Sequence, residues 1–185
     1  DDGHWYGFLL FTTASVANYG VSGGGMAMHN YYRWTNVTIP DGATITSATV
    51  SCYDHGSGVG TLPDGTKLYF HKSENPAAPT NATKANALFN SLTTNYVVPV
   101  MSNGGGWFAH PDVSEIIQEL VDTYSYASGA AMMCIIKAVT GNASNYGAIY
   151  MRDYIGNARG AKLDITYTMG SLLPKRRSFN SLLVR

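Results

Sequence analysis

This 185-residue sequence is poor in charged residues, glutamate and long apolar runs. Lys, Arg, Asp and Glu together make up 13% of the chain, about half of the roughly 25% that is typical of globular domains. Its only glutamates are Glu74, Glu115 and Glu119, so pairs of catalytic carboxylates are scarce. No apolar stretch approaches the roughly 20 residues that a membrane-spanning helix requires. We therefore expect neither a highly charged cytosolic enzyme nor a membrane span.

The usual motifs of catalysis and cofactor binding are missing as well. There is no G-x-S-x-G turn and no phosphate-binding loop. The sequence has five histidines, which are His4, His29, His55, His71 and His110. Their spacing matches no metal-ligand motif. His55 and His71 could approach each other on neighbouring strands beside Asp54, but a metal or acid–base site needs a further converging group. We expect no enzyme activity, no metal and no cofactor.

The chain contains only two cysteines, Cys52 and Cys134, and both lie in apolar strand patterns. Free cysteine behaves as a small hydrophobic residue in a protein core. Strand positions also rarely meet the geometry of a disulfide. Two buried free thiols are therefore the favoured interpretation, and a disulfide, which an oxidising compartment would favour, is the alternative.

Glycine, tyrosine and period-two alternation are abundant. The sequence has twenty glycines and thirteen tyrosines, and apolar and polar residues alternate in about nine segments, as they do in strands. The clearest predicted strands are residues 5–13, 26–37, 44–53, 67–72, 96–101, 130–139, 146–154 and 161–168. A turn at Pro40-Asp41-Gly42 joins two of them. The pattern predicts an all-β fold with two antiparallel sheets in a jelly-roll-like sandwich.

Residues 113–123 form the one short, capped helix that we predict for this sandwich. Asp112 is placed as the N-cap, and Glu115 follows three residues later, which is a capping box with Asp in the capping position. The predicted buried stripe is Ile116, Ile117, Leu120 and Val121. The predicted solvent face is Glu115, Gln118, Glu119 and Asp122. Residues 80–92 carry a weaker helical pattern and are expected to pack over the edge of the sandwich.

Residues 1–168 are predicted to form a single domain, and residues 169–185 a C-terminal arm of different composition. The domain has 8 basic and 12 acidic residues, a net charge of −4, whereas the arm has four basic residues and no acid. The arm's cations Lys175, Arg176 and Arg177 are flanked by apolar anchors, which are Leu172, Leu173, Phe179, Leu182, Leu183 and Val184. Docking on another subunit is the favoured interpretation, and a solvated, frayed end is the alternative. Nucleic-acid binding is not expected, because the domain lacks a basic face.

Outward-facing tyrosines are the second candidate binding feature. Strand alternation is expected to expose Tyr31, Tyr53, Tyr69, Tyr146 and Tyr150. Exposed rings stack on the C–H faces of sugars, so polysaccharide is a candidate ligand. Outward tyrosines are also common in strands and at subunit interfaces, so sugar binding and assembly both stay open for these residues.

Several separated segments resemble known proteins. Residues 33–48 read R-W-T-N-V-T-I-P-D-G-A-T-I-T-S-A, and residues 111–121 read P-D-V-S-E-I-I-Q-E-L-V after Trp107. Shorter matches lie at residues 74–78, 91–94, 128–131 and 161–167. Together these segments resemble β-sandwich modules of phage and marine viral structural proteins and of bacterial surface proteins. They are more distantly similar to the DNRLRE-type modules of secreted bacterial proteins, some of which bind acidic polysaccharides.

The resemblance covers about residues 29–168 and implies a fold more than a task, because the matched positions are core, turn and cap residues. Where the modules carry an S-Y-D-G-S-type stretch before the last strand, this chain has R-D-Y-I-G at residues 152–156. The arm has no counterpart in isolated sugar-binding modules, which places assembly ahead of saccharide binding.

From these observations we expect a non-enzymatic structural or display subunit at a virion surface, of the capsid-decoration or fibre type. It would join other protein subunits, as a homo-oligomer or within a capsid, tail or filament lattice, through its C-terminal arm. One alternative is a secreted carbohydrate-binding module. Another is a subunit of an extracellular filament that assembles by strand addition.

Overall fold

In the part of the chain that the structure describes, ten antiparallel strands lie in two layers around a shared apolar core. The computed structural model describes residues 1–141, 145–152 and 158–170. The strands of this part of the chain are β1 (Asp2–Tyr6), β2 (Leu9–Phe11), β3 (Val16–Val21), β4 (Ala27–Ile39), β5 (Ala43–Asp54), β6 (Lys67–Phe70), β7 (Gly106–Ala109), β8 (Tyr126–Lys137), β9 (Asn145–Tyr150) and β10 (Lys162–Met169). The predicted all-β antiparallel sandwich is confirmed.

The first sheet has the order β2-β1-β4-β8-β6, and the second has the order β10-β5-β9-β3 with β7 also paired to β5. Strand β4 belongs to both sheets. Its first two residues, Ala27 and Met28, pair with β3, and the rest of the strand pairs with β1 and β8. The long β4 therefore joins the two layers at one side of the sandwich.

The core lies between the inner faces of the two sheets. The first sheet contributes residues such as Tyr32, Phe70 and Cys134, and the second contributes residues such as Val50 and Cys52. Both cysteines are free and buried, which confirms the favoured interpretation. Burial in this apolar environment raises the pKa of the Cys52 thiol to about 12, so the thiol stays protonated and inert at neutral pH.

Helix α2 (Ser114–Val121) closes one end of the core with the stripe predicted from its sequence. Ile116, Ile117 and Leu120 are fully buried. Gln118, which was predicted to face water, instead ties the helix to β5. Its side-chain oxygen accepts from the backbone N–H of Ile45 at 2.8 Å.

The predicted capping box at this helix is wrong. Val113 occupies the N-cap position, no side-chain hydrogen bond caps the helix there, and Glu115 lies in the first turn. Asp112 instead accepts hydrogen bonds from the backbone N–H of Ser114 at 3.2 Å and from that of Ala48 on β5 at 2.9 Å. The carboxylate thus fastens the helix start to the sheet rather than closing a local box.

Glu119 on the same helix was expected to lie in water and does not. Its carboxylate accepts from the backbone N–H groups of Thr94 and Asn95 and pairs with Lys72 at 3.2 Å. Helix α2 therefore also holds the loop that follows residue 91.

A second helix, α1 (Ala82–Ala87), continues into a 3-10 turn (Leu88–Asn90). The weaker helical pattern over residues 80–92 is therefore confirmed, and the described part of the sandwich carries two short helices rather than one. The Asn81 side chain caps α1 by accepting from the backbone N–H of Lys84 at 2.9 Å. The helix and turn cover the outer face of the first sheet rather than the sandwich edge. They form a second apolar cluster there, with Trp5, Tyr31, Ala85, Leu88, Met133 and Ile135.

Four strand predictions needed correction. Residues 5–13 contain the hairpin between β1 and β2, with Gly7 at a φ of 54° in its turn. Residues 16–21 form β3, which was not among the predicted strands. Residues 96–101 form only an isolated bridge between Val97 and Leu68. Residues 106–109 form β7, which was not predicted either.

We expect Asp112→Ala to lower the free energy of unfolding by about 1–2 kcal/mol, as the loss of hydrogen bonds to a largely exposed carboxylate at a helix start does. The hydrogen bond from Ala48, and then those from Ser114, hold the pKa of Asp112 below its ordinary value. A lowered folded-state pKa gives stability that is present above the unfolded pKa, near 4, and is lost as the pH falls through the folded pKa.

Urea unfolding at neutral pH and near pH 3 checks this expectation. The difference between the wild type and Asp112→Ala should shrink at the lower pH. The exposed loop residue Asp64 provides the matched control, because Asp64→Ala should change stability little at either pH. A variant as stable as the wild type at neutral pH would show that Asp112 does not tether the helix.

Candidate functional site

A group of aromatic side chains lies on the outer face of the second sheet. Tyr53 on β5 is paired directly with Trp107 on β7, so their side chains project to the same side of the sheet. Tyr150 on β9 completes the row, because β5 and β9 pair at the neighbouring residues Asp54 and Ile149. The inner faces of these strands carry core residues, which leaves this row facing outward.

The rings touch one another edge to face. The centroids of Tyr53 and Trp107 are 5.4 Å apart, those of Tyr53 and Tyr150 are 5.8 Å apart, and those of His55 and Tyr150 are 4.9 Å apart. We call Tyr53, His55, Trp107 and Tyr150 the aromatic cluster. Trp107 is 41% exposed, so the cluster presents ring surface to solvent.

Two cations lie over the rings of the aromatic cluster. The guanidinium carbon of Arg159 lies 4.4 Å from the Tyr53 centroid and 4.8 Å from the Tyr150 centroid. The Lys162 ammonium lies 3.8 Å from the Trp107 centroid. Each cation is attracted by the negative face of an aromatic ring. The surface therefore combines apolar ring edges with fixed positive charge, which suits an anionic ligand that also has an apolar face.

The five predicted sugar-facing tyrosines do not lie together. Tyr53 and Tyr150 belong to the aromatic cluster. Tyr69 lies on the first sheet, with its ring 5.6 Å from that of Tyr96. Tyr146 is half-buried on β9, opposite Gly20. Tyr31 lies on the outer face of the first sheet but is only 1% exposed, so its predicted exposure is wrong. The cause is that α1 and its 3-10 turn cover that face of the sheet.

Sequence reasoning missed three members of this site: Trp107, Arg159 and Lys162. Trp107 was not placed on a predicted strand, although W-F-A-H alternates as a strand does. Arg159 and Lys162 carry no local signal, since they reach the rings only through the register of β10 and the loop before it. The pairing of β5 with both β7 and β10 brings all three to one surface.

A groove opens where the two sheets end at the other side of the sandwich. Its walls are the last third of β4 and the strand β10, and its volume is about 320 Å³. We call it the edge groove and define it by its apolar lining, which is Trp34, Val37, Ile39, Leu163, Ile165 and Tyr167. The Trp34 indole N–H donates to the carbonyl of Ala161 at 2.9 Å and closes one end.

Within the described residues, both walls of the edge groove have an unpaired strand edge. Strand β10 pairs with β5 on one side, and no strand of the described ranges pairs with its other side. Strand β4 pairs with β8 through Ile39 on one side, but on its other side β1 ends opposite Tyr32. Main-chain donors and acceptors thus border the apolar floor, a combination that an added strand can use.

Polar groups that looked available for chemistry are used by the scaffold. Asp54 is buried and accepts from the backbone N–H groups of Gly56 and Gly105 and from the Ser102 hydroxyl. His110 is buried, and its Nδ1 accepts from the backbone N–H of Val100 at 3.1 Å. In the part of the chain that the structure covers, no three His, Cys, Asp or Glu side chains converge as metal ligands would.

The predicted assembly residues of the arm lie outside the described residues. They are Leu172, Leu173, Lys175, Arg176, Arg177, Phe179, Leu182, Leu183 and Val184. The last described residues are Met169, which ends β10, and Gly170, so the sandwich extends one residue into the predicted arm. Among the helices within the described ranges, none is long and apolar enough to cross a membrane.

Comparison with known proteins adds no assignment to this geometry. No protein-family model matches the sequence. No curated protein matches it either. The resemblance to viral and bacterial β-sandwich modules therefore stays an expectation drawn from the segments quoted above.

We expect the fold to lose stability as the pH falls from about 6.5 to about 4. Burial lowers the pKa of His4, His29 and His110 to about 4 each, with the Lys137 charge also lowering that of His29. An unfolded histidine has a pKa near 6.5, so in this window the unfolded chain binds more protons than the folded one. Stability is full above the unfolded pKa and declines below it.

Urea unfolding of the wild type and of His110→Gln across this pH window measures how much His110 contributes to the loss of stability. The variant should show a flatter decline, whatever its stability at neutral pH, because it has one fewer buried group to protonate. His55→Gln, at an exposed position, is the matched control. Parallel profiles for the wild type and His110→Gln would contradict a buried neutral imidazole at position 110.

Proposed function

We propose that this protein is a non-enzymatic structural or display subunit of a virion surface, of the capsid-decoration or fibre type. It joins other subunits through its C-terminal arm. The observation that carries this proposal is the free edge of β10, which leads directly into the arm. Its virion setting follows from the resemblance described above, and an extracellular location is the alternative setting.

The edge of β10 has little protection against pairing with another chain. Natural edge strands are usually blocked by charges, proline, bulges or short length. Strand β10 is eight residues long, and Lys162 and Asp164 are its only charged residues. From Ile165 to Met169 it has no charge and no proline, and its one irregularity is a register shift at Thr166 and Tyr167. Exposed Tyr167 and Met169 add apolar surface there.

Electrostatics favours contact between the arm of one copy and the domain of another. The domain has a net charge of −4 and the arm a net charge of +4. Opposite charges steer association and raise its rate, while apolar burial supplies most of the binding free energy. Many copies in a lattice would add avidity to each weak contact.

Removal of residues 171–185 should abolish self-association and leave the sandwich folded. Residues 1–170 contain the whole described core, so the truncated chain should keep the thermal stability and β-type circular dichroism of the full chain. Light scattering after size exclusion should give oligomers for the full chain, in multiples of 19.9 kDa, and monomers for the truncated one. The matched control replaces residues 171–185 by a Gly/Ser segment of equal length and should also be monomeric. Unchanged assembly after truncation would refute the proposal.

A second candidate function, saccharide binding, is favoured by the aromatic cluster. Trp107 is exposed beside two cations, and such a surface fits a uronic-acid polymer better than a neutral sugar. Arg159 and Lys162 lie over the ring faces, so a sugar would contact the ring edges and pair its carboxylates with the cations. This reading corresponds to a secreted carbohydrate-binding module.

Affinity electrophoresis of residues 1–170 through gels that contain polygalacturonate or dextran tests this candidate. The truncated chain is used because the basic arm would itself bind a polyanion. We expect polygalacturonate alone to retard the protein, and Trp107→Ala to weaken the binding about tenfold, as the loss of roughly 1.4 kcal/mol of contact with the ring edge does. Tyr69→Ala, on the other sheet, should leave it unchanged. Equal mobility in both gels would exclude this function.

A further inference from the structure

We infer that the edge groove is the docking site for residues 178–184 of a second copy, which add to β10 as a strand and place apolar side chains in the groove. The inference rests on the proposed function and specifies the surface that receives the arm. It is drawn from the shape of the groove, the sequence that follows Gly170, and the charges of the two parts.

The edge groove offers both kinds of contact that a strand needs. The outer edge of β10 supplies backbone donors and acceptors along eight residues. Leu163 and Ile165 form the floor and pack against the core, and Tyr167, which is 38% exposed, borders the open end. Main-chain hydrogen bonds give affinity in strand addition, and pockets for alternate side chains give specificity.

Residues 178–184 are the part of the arm suited to this site. They read S-F-N-S-L-L-V and contain no proline and no charge. In an extended strand Phe179, Ser181 and Leu183 share one face, so two apolar side chains would enter the groove together. The earlier segment S-L-L-P is less suited, because Pro174 has no backbone N–H to donate.

The connection between β10 and this segment favours a second copy over the arm's own domain. To pair with β10 of the same chain, residues 178–184 would have to come back to about 4.8 Å from it, which is the spacing of paired strands. Residues 171–177 contain Pro174 followed by Lys175, Arg176 and Arg177. Adjacent like charges repel and extend a chain, and seven extended residues span roughly 23 Å. An extended connection of this length would leave residues 178–184 too far from their own β10 to pair with it, which favours a second copy as the partner.

When the arm of one copy enters the edge groove of a neighbour, the contact joins two different surfaces, the arm and the groove. Two copies can exchange arms and form a closed pair, or each copy can pass its arm to the next and form a ring or a filament. Both arrangements use the same groove. The predicted contact is therefore independent of the symmetry of the assembly.

Binding of a labelled peptide of residues 171–185 to the truncated chain (residues 1–170) measures the contact directly by fluorescence anisotropy. We expect saturable binding that Tyr167→Asp in the domain, and Phe179→Asp or Leu183→Asp in the peptide, each weaken by at least about tenfold. Because the peptide variants do not touch the fold, they keep the test valid if the domain variant unfolds. Asn180→Asp in the peptide and Trp107→Ala in the domain are the matched controls for charge and position.

Cross-linking of the full chain identifies whose arm is bound. One preparation carries Tyr167→Cys and the other carries Leu183→Cys, and the mixture is oxidised. Because Cys52 and Cys134 are buried, we expect a disulfide-linked dimer that contains one chain of each kind. A chain that carries both substitutions and forms only an internal disulfide at every concentration would overturn docking on a second copy.

The outcomes separate this inference from the proposed function. If truncation abolishes assembly but the peptide binds Tyr167→Asp and the wild-type domain equally well, the groove assignment is wrong and the assembly proposal stands. If truncation leaves assembly unchanged, the proposed function fails with it. Equal affinity of Phe179→Asp and unmodified peptide would likewise overturn the docking of residues 178–184.

Discussion

The pairing of β5 with its neighbours is the constraint on which the rest of this structure depends. Strand β5 pairs with β10 on one side and with β7 and β9 on the other, and its alternation sends Val50 and Cys52 into the core. The same alternation places Tyr53 on the outer face beside Trp107. A shift of one residue would exchange these two sets. The Asp112 carboxylate, bound to Ala48 of this strand, also fixes where helix α2 closes the sandwich.

The two sides of the sandwich differ because β4 connects the two sheets at one side and not at the other. At its start β4 pairs with β3 and connects the sheets, whereas its last third faces β10 across the edge groove with no strand of the described ranges between them. A closed barrel would have no such opening. The open side is next to the point where the chain leaves the sandwich, after Met169. Fold and proposed assembly are thus related through the edge of β10, one of the places where pairing stops in the described sheets.

Local patterns in the sequence predicted the parts of the structure that depend on near neighbours. The buried stripe of α2, with Ile116 and Ile117, follows from helical spacing alone, as do most strands of the two sheets. The predictions failed where a distant segment decides the environment. Tyr31 was expected outside because its strand alternates, and a helix about 50 residues later in the chain covers it. Trp107 and Tyr53 meet only through the register of two strands that are far apart in sequence.

The two buried thiols report on opening of the core and do not report on changes at the protein surface. Cys52 lies on β5, an interior strand of one sheet, and Cys134 lies on β8, an interior strand of the other. Both are shielded by the same packed interior. A thiol reagent can reach either one only when the layers separate. The rate at which a reagent modifies these thiols therefore distinguishes separation of the two sheets from release of a neighbouring copy at the edge groove.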